Sequence, residues 1–388
     1  MKDVKISNDI IYIGADDKDI DLFENQYKVP NGISYNSYVI MDEKIAIMET
    51  IDRRKTDEWL ENLENALNGR EPDYLIISHL EPDHAYNIGT VIKKYPNIKL
   101  VGNNKTFAFL PQFFDIEDLE ERKVEVKEGD ILELGKHKLR FIIAPMVHWP
   151  EVMMEYEETE KILFSADGFG KFGTLDTDED WDCEARRYYF NIVGKYGMQV
   201  QSVLKKASQL DIKTICPLHG PILRENLSHY INKYDIWSKY ETESEGVYIA
   251  CASIHGNTLK VCEKLKEILE EKGVEKVVLA DLSREDWAEA VEDSFRYGKI
   301  VFASATYDMG IFTPMRDLLL NLKEKSYQNK KVAIIENGTW APNAGKCMKE
   351  IIATMKNIEI VEPVVTIKST LKEENIEKLN ELAENLLK

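Results

Sequence analysis

The segment "ISHLEPDHAYN", residues 77–87, sets His79, Glu81, Asp83 and His84 around a single proline, Pro82. Two imidazoles and two carboxylates so closely spaced make a poor core and a good metal-donor set. The preceding "YLIIS" reads as a buried strand, and Pro82 disfavours both regular helix and central strand. The four side chains are therefore expected in a tight loop at a strand's carboxyl end. Residues 79, 81 and 83 can converge there, with His84 pointing elsewhere, which suits two adjacent ions better than one.

Three further strand-like segments end the same way. "LRFIIAPMVHWP" delivers His148, "KILFSADG" delivers Asp167, and "IKTICPLHGP" holds His219 in a rigid turn between prolines. Sheets of parallel type gather their sites at the carboxyl edge. His137, in the turn-like "ELGKHKL", and His229, in the helix-like "LSHYINKY", read as structural.

A second constellation lies further on. The strand-like "GVYIACAS" runs into "SIHGNT" and then into an amphipathic segment, with Val261, Cys262, Leu265, Ile268 and Leu269 at helical spacing and Gly273 as a C-cap. Strand, polar loop and helix N-terminus make a phosphate site, with Ser253, Asn257 and Thr258 as donors and His255 and Gly256 between them. The loop has neither G-x-G-x-x-G nor G-K-[ST], which argues against a dinucleotide and against a nucleoside triphosphatase. Two more polar, aromatic-bearing loops follow strands: Ala305, Thr306, Tyr307 and Asp308 in one, Asn337, Gly338, Thr339 and Trp340 in the other.

The elements that must position these residues divide the chain in two. Near residues 240–247 an acidic run gives way at Gly246 to a new apolar strand, so the expected domains are 1–246 and 247–388. The second shows strands at 247–252, 276–280, 299–304 and 331–336, and a fifth near 360–366, alternating with helical segments. That is an α/β pattern, a doubly wound parallel sheet. The first has many short apolar runs with few crossovers, among them a helix over 54–68, and reads as a mixed sheet or sandwich with helices outside.

Composition narrows the rest. A chain of 388 residues with 44% hydrophobic and 31% charged residues is an ordinary globular one, long enough for two cores. Its formal net charge of −19 argues against nucleic acid or an anionic membrane as partner. No segment reads as a signal peptide or a membrane span. Five cysteines without a C-x-x-C pair suggest reduced thiols in a cytoplasm and exclude an attached rubredoxin-like or zinc-ribbon module.

The pattern His-x-[His/Glu]-x-Asp-His, with a distant His, a distant Asp and a late His, resembles the metallo-β-lactamase fold, whose hydrolases mostly carry histidine at the second position and bind zinc. Here that position is Glu81, and the added carboxylate favours iron. With a flavodoxin-like half behind it, the whole chain resembles the flavodiiron proteins. The resemblance implies an αββα sandwich followed by a flavodoxin-like domain, and two non-haem irons. His79, Glu81 and His148 would hold one iron, Asp83, His84 and His219 the other, and Asp167 would bridge. No catalytic group beyond these ligands is singled out. The resemblance also implies FMN held by the three loops, with Tyr307 and Trp340 flanking its ring and Asp308 where the family usually has asparagine. It implies reduction of dioxygen to water or of nitric oxide to nitrous oxide, electrons from rubredoxin or reduced F420, and a head-to-tail homodimer. A hydrolase with a regulatory flavodoxin and a flavin electron carrier with a vestigial metal site are the alternatives. Glu81 discriminates the first, and dependence on His79 or Asp167 the second.

Overall fold

The computed structural model describes residues 4–388, so the first three residues of the predicted first domain lie outside the described residues. The chain divides into two compact units, Met1–Tyr189 with Met198–Asp235, and Phe190–Gly197 with Ile236–Lys388.

In the first unit the short apolar runs build two sheets. One runs in the order Ile10–Tyr12, Tyr38–Ile40, Ala46–Met48, Tyr74–Ile76, Lys99–Gly102 and Lys123–Glu125. Its first three strands pair antiparallel and its last four parallel. A parallel pair needs a crossover. Helix Thr56–Leu67 supplies the one between Ala46–Met48 and Tyr74–Ile76, and buries Trp59, Leu63 and Leu67. The other sheet runs Ile131–Glu133, Lys138–Ile143, Met153–Glu157, Ile162–Phe164 and Thr214–Cys216, antiparallel except for its last pair.

The inner faces share one core. Tyr38, Met48, Ile76 and Val101 of the first sheet join Phe141, Met153, Phe164 and Cys216 of the second in a single buried cluster. Each such side chain contributes about 1.5–3 kcal/mol by leaving water. This is the expected αββα layering. Strands Tyr74–Ile76, Lys138–Ile143, Ile162–Phe164 and Thr214–Cys216 each run directly into a loop that carries predicted donors.

The second unit is a parallel sheet ordered Val277–Asp281, Ser244–Ala252, Tyr297–Tyr307, Gln328–Asn337 and Lys356–Ile367. All five predicted strands are present, and all but Val277–Asp281 are longer than their apolar runs. On one face Val247, Ile249, Val301 and Ile335 are buried with Val261 and Leu265 of helix Asn257–Glu271 and Leu379 and Leu382 of helix Glu373–Leu387. Gly273, at φ +88°, follows the first of these helices as expected for its end. The unit takes in residues 236–246, which the sequence reading set before the boundary, and Phe190–Gly197. Phe190 stacks on Phe295 at 4.2 Å and 9°, and Asn191 Nδ2 donates to the Ala288 carbonyl at 3.1 Å.

His137 and His229 each face carboxylates, and His137 stands with Asp9 and Glu160 in a third group of possible donor atoms. His229, on helix Leu227–Ser238, has its Nε2 2.6 Å from Asp182 Oδ1. His137 is fully buried, with Nδ1 3.0 Å from Glu157 Oε1 and Nε2 3.3 Å from Asp9 Oδ2. The bond to Glu157 leads in raising its pKa, against the opposing effect of burial. A raised folded-state pKa stabilises below the unfolded value of about 6.5 and loses that effect as pH climbs through the folded value. His137→Ala should cost about 1–3 kcal/mol, because buried Glu157 loses its ring partner and keeps only the amides of Thr159 and Glu160. Thermal melts across pH should show the wild type losing stability as pH rises from about 6.5 through the raised folded-state value, and the variant lacking that component.

Candidate metal and cofactor sites

The strand Tyr74–Ile76 ends in a loop gripped from beneath. The amides of Ser78 and His79 both donate to Glu49 Oε1, at 2.6 and 2.9 Å, and the Leu80 amide donates to Glu151 Oε1 at 2.9 Å. Ser78 Oγ donates to Glu155 Oε2 at 3.1 Å. Three consecutive amides thus rest on two buried carboxylates, and the loop that carries His79 and Glu81 has little freedom to turn. Beyond it the expected loop around Pro82 is corrected: Pro82–Ala85 is one helical turn, with Pro82 at its start. A proline there gives up an amide that has no intrahelical partner, so it opens a helix where it would break the middle of one.

That turn sorts the donors. His79, Glu81, His148 and Asp167 form one group whose ligand atoms lie within 4.8 Å of one another, and Asp83, His84 and His219 form a second. The sequence reading had 79, 81 and 83 converging and His84 turned away; helix geometry instead carries Asp83 with His84 into the second group. His84 Nε2 is 3.1 Å from His219 Nε2. Asp167 reaches both sets, with Oδ2 3.2 Å from His79 Nε2 and 3.0 Å from His148 Nε2, and Oδ1 3.7 Å from His219 Nε2. Glu81 Oε2 lies 2.9 Å from His148 Nε2. His219 is aimed by its Nδ1, 2.7 Å from the Ser34 carbonyl, and by the next residue, Gly220. Gly220 sits at φ +81° with its amide on Ser34 Oγ at 2.6 Å, and a Cβ there would meet Lys171 Cγ at 2.7 Å.

Without an ion, protons balance these carboxylates. Burial works against a charge on His79, yet Asp167 and then Glu49 outweigh it and hold the ring protonated well above its usual range. His148, likewise opposed by burial, is lifted to about 10 by its bonds to Asp167 and Glu81. Burial pushes His84 down to about 3, leaving a neutral imidazole. Even so, both ring nitrogens of His79, Nδ1 of His84, Oδ1 of Asp83 and Oδ1 of Asp167 are buried without a hydrogen bond. Buried donors and acceptors normally find partners. Cations set among these atoms would satisfy them together, so the donor set fits a pair of metal ions.

Above the two groups opens a cavity of about 820 Å³, lined by Glu81, Asp83, His148 and Trp149 on one side and by residues 20–26 and 52–54 on another.

The second unit holds a cavity of about 530 Å³ at its strand ends. Ser253, His255, Asn257, Thr258, Ala305, Thr306, Tyr307, Asp308, Asn337, Gly338, Thr339 and Trp340 all line it. Gly256 instead makes the turn beneath, at φ +84°, with its amide on Ser253 Oγ at 3.0 Å. Trp340 is 88% exposed and Tyr307 50%, two large rings flanking an open slot. Exposed aromatic rings beside a helix N-terminus and a polar loop fit a planar ring carrying a phosphate.

Sequence reasoning missed Ile254, Met309, Ala341 and Ser369 on this wall. Ser369 had a signal, its place just after the fifth strand, and it joins the site through Asn337, which donates to its carbonyl at 3.0 Å and accepts from its amide at 3.0 Å. The bracing carboxylates Glu49, Glu151 and Glu155 were missed too. Glu49 ends the run "KIAIMET" much as the donors end theirs.

A family model described as ODP family beta lactamase matches residues 33–220. The chain is 28% identical over 396 residues to a nitric oxide reductase of Moorella thermoacetica, covering 99% of this chain and 98% of that protein. It is 27% identical over 378 residues to a flavo-diiron protein of Clostridium acetobutylicum, covering 93% and 92%. Rubredoxin oxygen:oxidoreductase of Desulfovibrio gigas shares the fold, with a TM-score of 0.91 at 24% identity over 98% of this chain and 97% of that one. The chain spans about half the length of the cyanobacterial diflavin flavoproteins it also matches.

Glu151→Ala should free the Leu80 amide and weaken metal binding by about 10–100-fold, read by competition with a chelator. Adding the ions to metal-free protein near neutral pH should release on the order of two protons, from His79 and His148, measurable in weakly buffered solution with an indicator. Fold, donor groups and these likenesses converge: along nearly its whole length the chain is similar to proteins named flavo-diiron protein and nitric oxide reductase, and its donor groups fit a pair of metal ions.

Proposed function

We propose that the chain reduces dioxygen to water, nitric oxide to nitrous oxide, or both, with electrons passing from an external rubredoxin-like donor or reduced F420 through FMN to the iron pair. In this reading His79, Glu81 and His148 hold one iron and Asp83, His84 and His219 the other, with Asp167 between them. One observation supports it most: the carboxylate of Asp167 reaches both donor groups, of which Glu81, Asp83 and His148 line an open cavity. A lone ion site would need no such shared group.

When bound, the irons would bind and polarise a diatomic molecule and the flavin would refill them with electrons. The chain's own residues do the rest. Glu81 adds negative charge that suits a metal changing oxidation state. Phe23, Tyr35 and Tyr188 surround His219 at ring distances of 5.3, 5.8 and 5.7 Å and keep water from its buried side. In the second unit, Tyr307 and Trp340 would flank the flavin ring, while Ser253 and residues 255–258 would hold its phosphate. A head-to-tail homodimer would bring the flavin of one subunit to the irons of its partner, and an anaerobe's cytoplasm is the setting in which such scavenging matters.

The test is anaerobic gas-electrode assay of iron- and FMN-loaded protein with reduced rubredoxin, on dioxygen and on nitric oxide. Wild type should consume at least one gas, and Asp167→Asn should cut the rate by roughly 100-fold or more while flavin absorbance stays intact. Undiminished consumption in Asp167→Asn, or consumption that persists without flavin, would sink the reading.

A further inference from the structure

The hairpin Leu22–Phe23 and Tyr27–Lys28 stands beside the cavity over the two donor groups, and its tip, residues 24–26, lines it. The hairpin is anchored from below: Phe23 meets His219 edge-on at 5.3 Å and Phe172 at 5.7 Å, and Tyr27 lies 6.0 Å from Phe172. Glu24 and Asn25 take φ values of +50° and +56°. Left-handed backbone is routine for asparagine and unfavourable for glutamate, and such strain gathers where a side chain must be aimed. Here it sets Glu24 in the wall that also carries Glu81, Asp83 and His148. Gln26 Nε2 donates to Glu24 Oε2 at 2.9 Å and holds the carboxyl in orientation.

We propose that Glu24 is the proton-delivering residue of this site, taking protons from solvent at the hairpin tip and handing them to the diatomic substrate in the cavity. The inference rests on the reductase reading above. Reduction of one dioxygen takes up four electrons and four protons and gives two waters. Coupling of two nitric oxide molecules takes up two electrons and two protons and gives one nitrous oxide and one water. Reduced flavin supplies the electrons, and the protons have to cross the cavity wall. In each transfer the O–H bond of the Glu24 carboxyl breaks as one forms to a substrate oxygen, and the carboxylate is then reprotonated from water.

The other charged groups facing this space have different duties. Glu81, Asp83 and His148 belong to the donor groups, Asp52 accepts from the Arg54 amide at 2.8 Å, and Arg54 Nε pairs with Asp17 at 2.5 Å; Asp21 and Arg53 face the same space. Withdrawal from bulk water, then the charge of Glu81, lifts the Glu24 carboxyl to about 7, although the residue as a whole stays exposed at the tip. A carboxyl of that affinity both gains and gives a proton readily near neutrality.

The test compares wild-type and Glu24→Gln holoenzyme by gas-electrode assay across pH and by infrared titration of carboxyl groups. Since the protonated form is the donor, wild type should lose rate as pH rises through the Glu24 pKa that the infrared titration reads. Glu24→Gln should be slower by roughly tenfold or more and flat over that interval, with Glu24→Asp between the two. One protonated-carboxyl band should vanish above that pH in wild type and be missing from Glu24→Gln at every pH. A Glu24→Gln enzyme that keeps the wild-type pH profile overturns the proposal, as does absence of the band from wild type with full iron and FMN. A wild-type holoenzyme that consumes neither gas overturns the reductase reading and this inference with it, whereas a loss confined to Glu24→Gln leaves that reading standing.

Discussion

The metal-binding half of the protein depends on one arrangement, two buried carboxylates holding three successive backbone amides. Glu49 takes the amides of Ser78 and His79, and Glu151 that of Leu80. A loop leaving a buried strand would otherwise carry unpaired amides, each a penalty of about 1–3 kcal/mol. The clamp removes that penalty and fixes the loop's direction. His79 and Glu81 then face inward, and Pro82 opens the helical turn that sends Asp83 and His84 to the neighbouring set. Distant donors can complete the groups only because this first loop is held still.

The clamp also concentrates negative charge. Glu49 lies fully buried behind the three carboxylates of the donor groups, while burial raises the pKa of Glu155 beside it so far that Glu155 keeps its proton. Such a cluster needs compensating cations. Protons on His79 and His148 supply them in the metal-free chain, and these are the protons that metal ions must displace. The burial that makes the site unfavourable when empty gives it its hold on metal, and the aromatic rings around His219 extend it.

Both units place function at the carboxyl ends of strands, by different means. In the first, four short strands from two sheets contribute, so the site forms only once the sandwich has closed. In the second, one parallel sheet presents three consecutive loops along one edge, and the cavity follows directly from the strand order. The left-handed residues Asp308 and Met309, at φ +47° and +60°, turn the middle loop back beside Tyr307, and Asn343 Nδ2 ties it to the next by donating to the Met309 carbonyl at 2.7 Å.

Much of this was legible in the sequence, because it depends on local chemistry. Apolar runs of strand length, each ending in a donor, determined that His79, His148, Asp167 and His219 would share one edge. Glu81 set the chemistry apart from zinc hydrolysis, and the five apolar runs after residue 246 gave the doubly wound sheet. The resemblance already implied how the donors divide; what only the tertiary structure decided is the turn that carries them apart and what holds them. Pro82 is compatible with a loop or a first helical turn, and one turn of helix is enough to swing Asp83 and His84 across to His219. Glu49, Glu151 and Glu155 resemble ordinary strand or surface glutamates until the fold brings them beneath Ser78, His79 and Leu80. Glu24 likewise gains its place only when the hairpin docks on His219. Spacing along the chain records which groups are available, but contacts between residues tens of positions apart depend on the closed sandwich, and no local pattern encodes them.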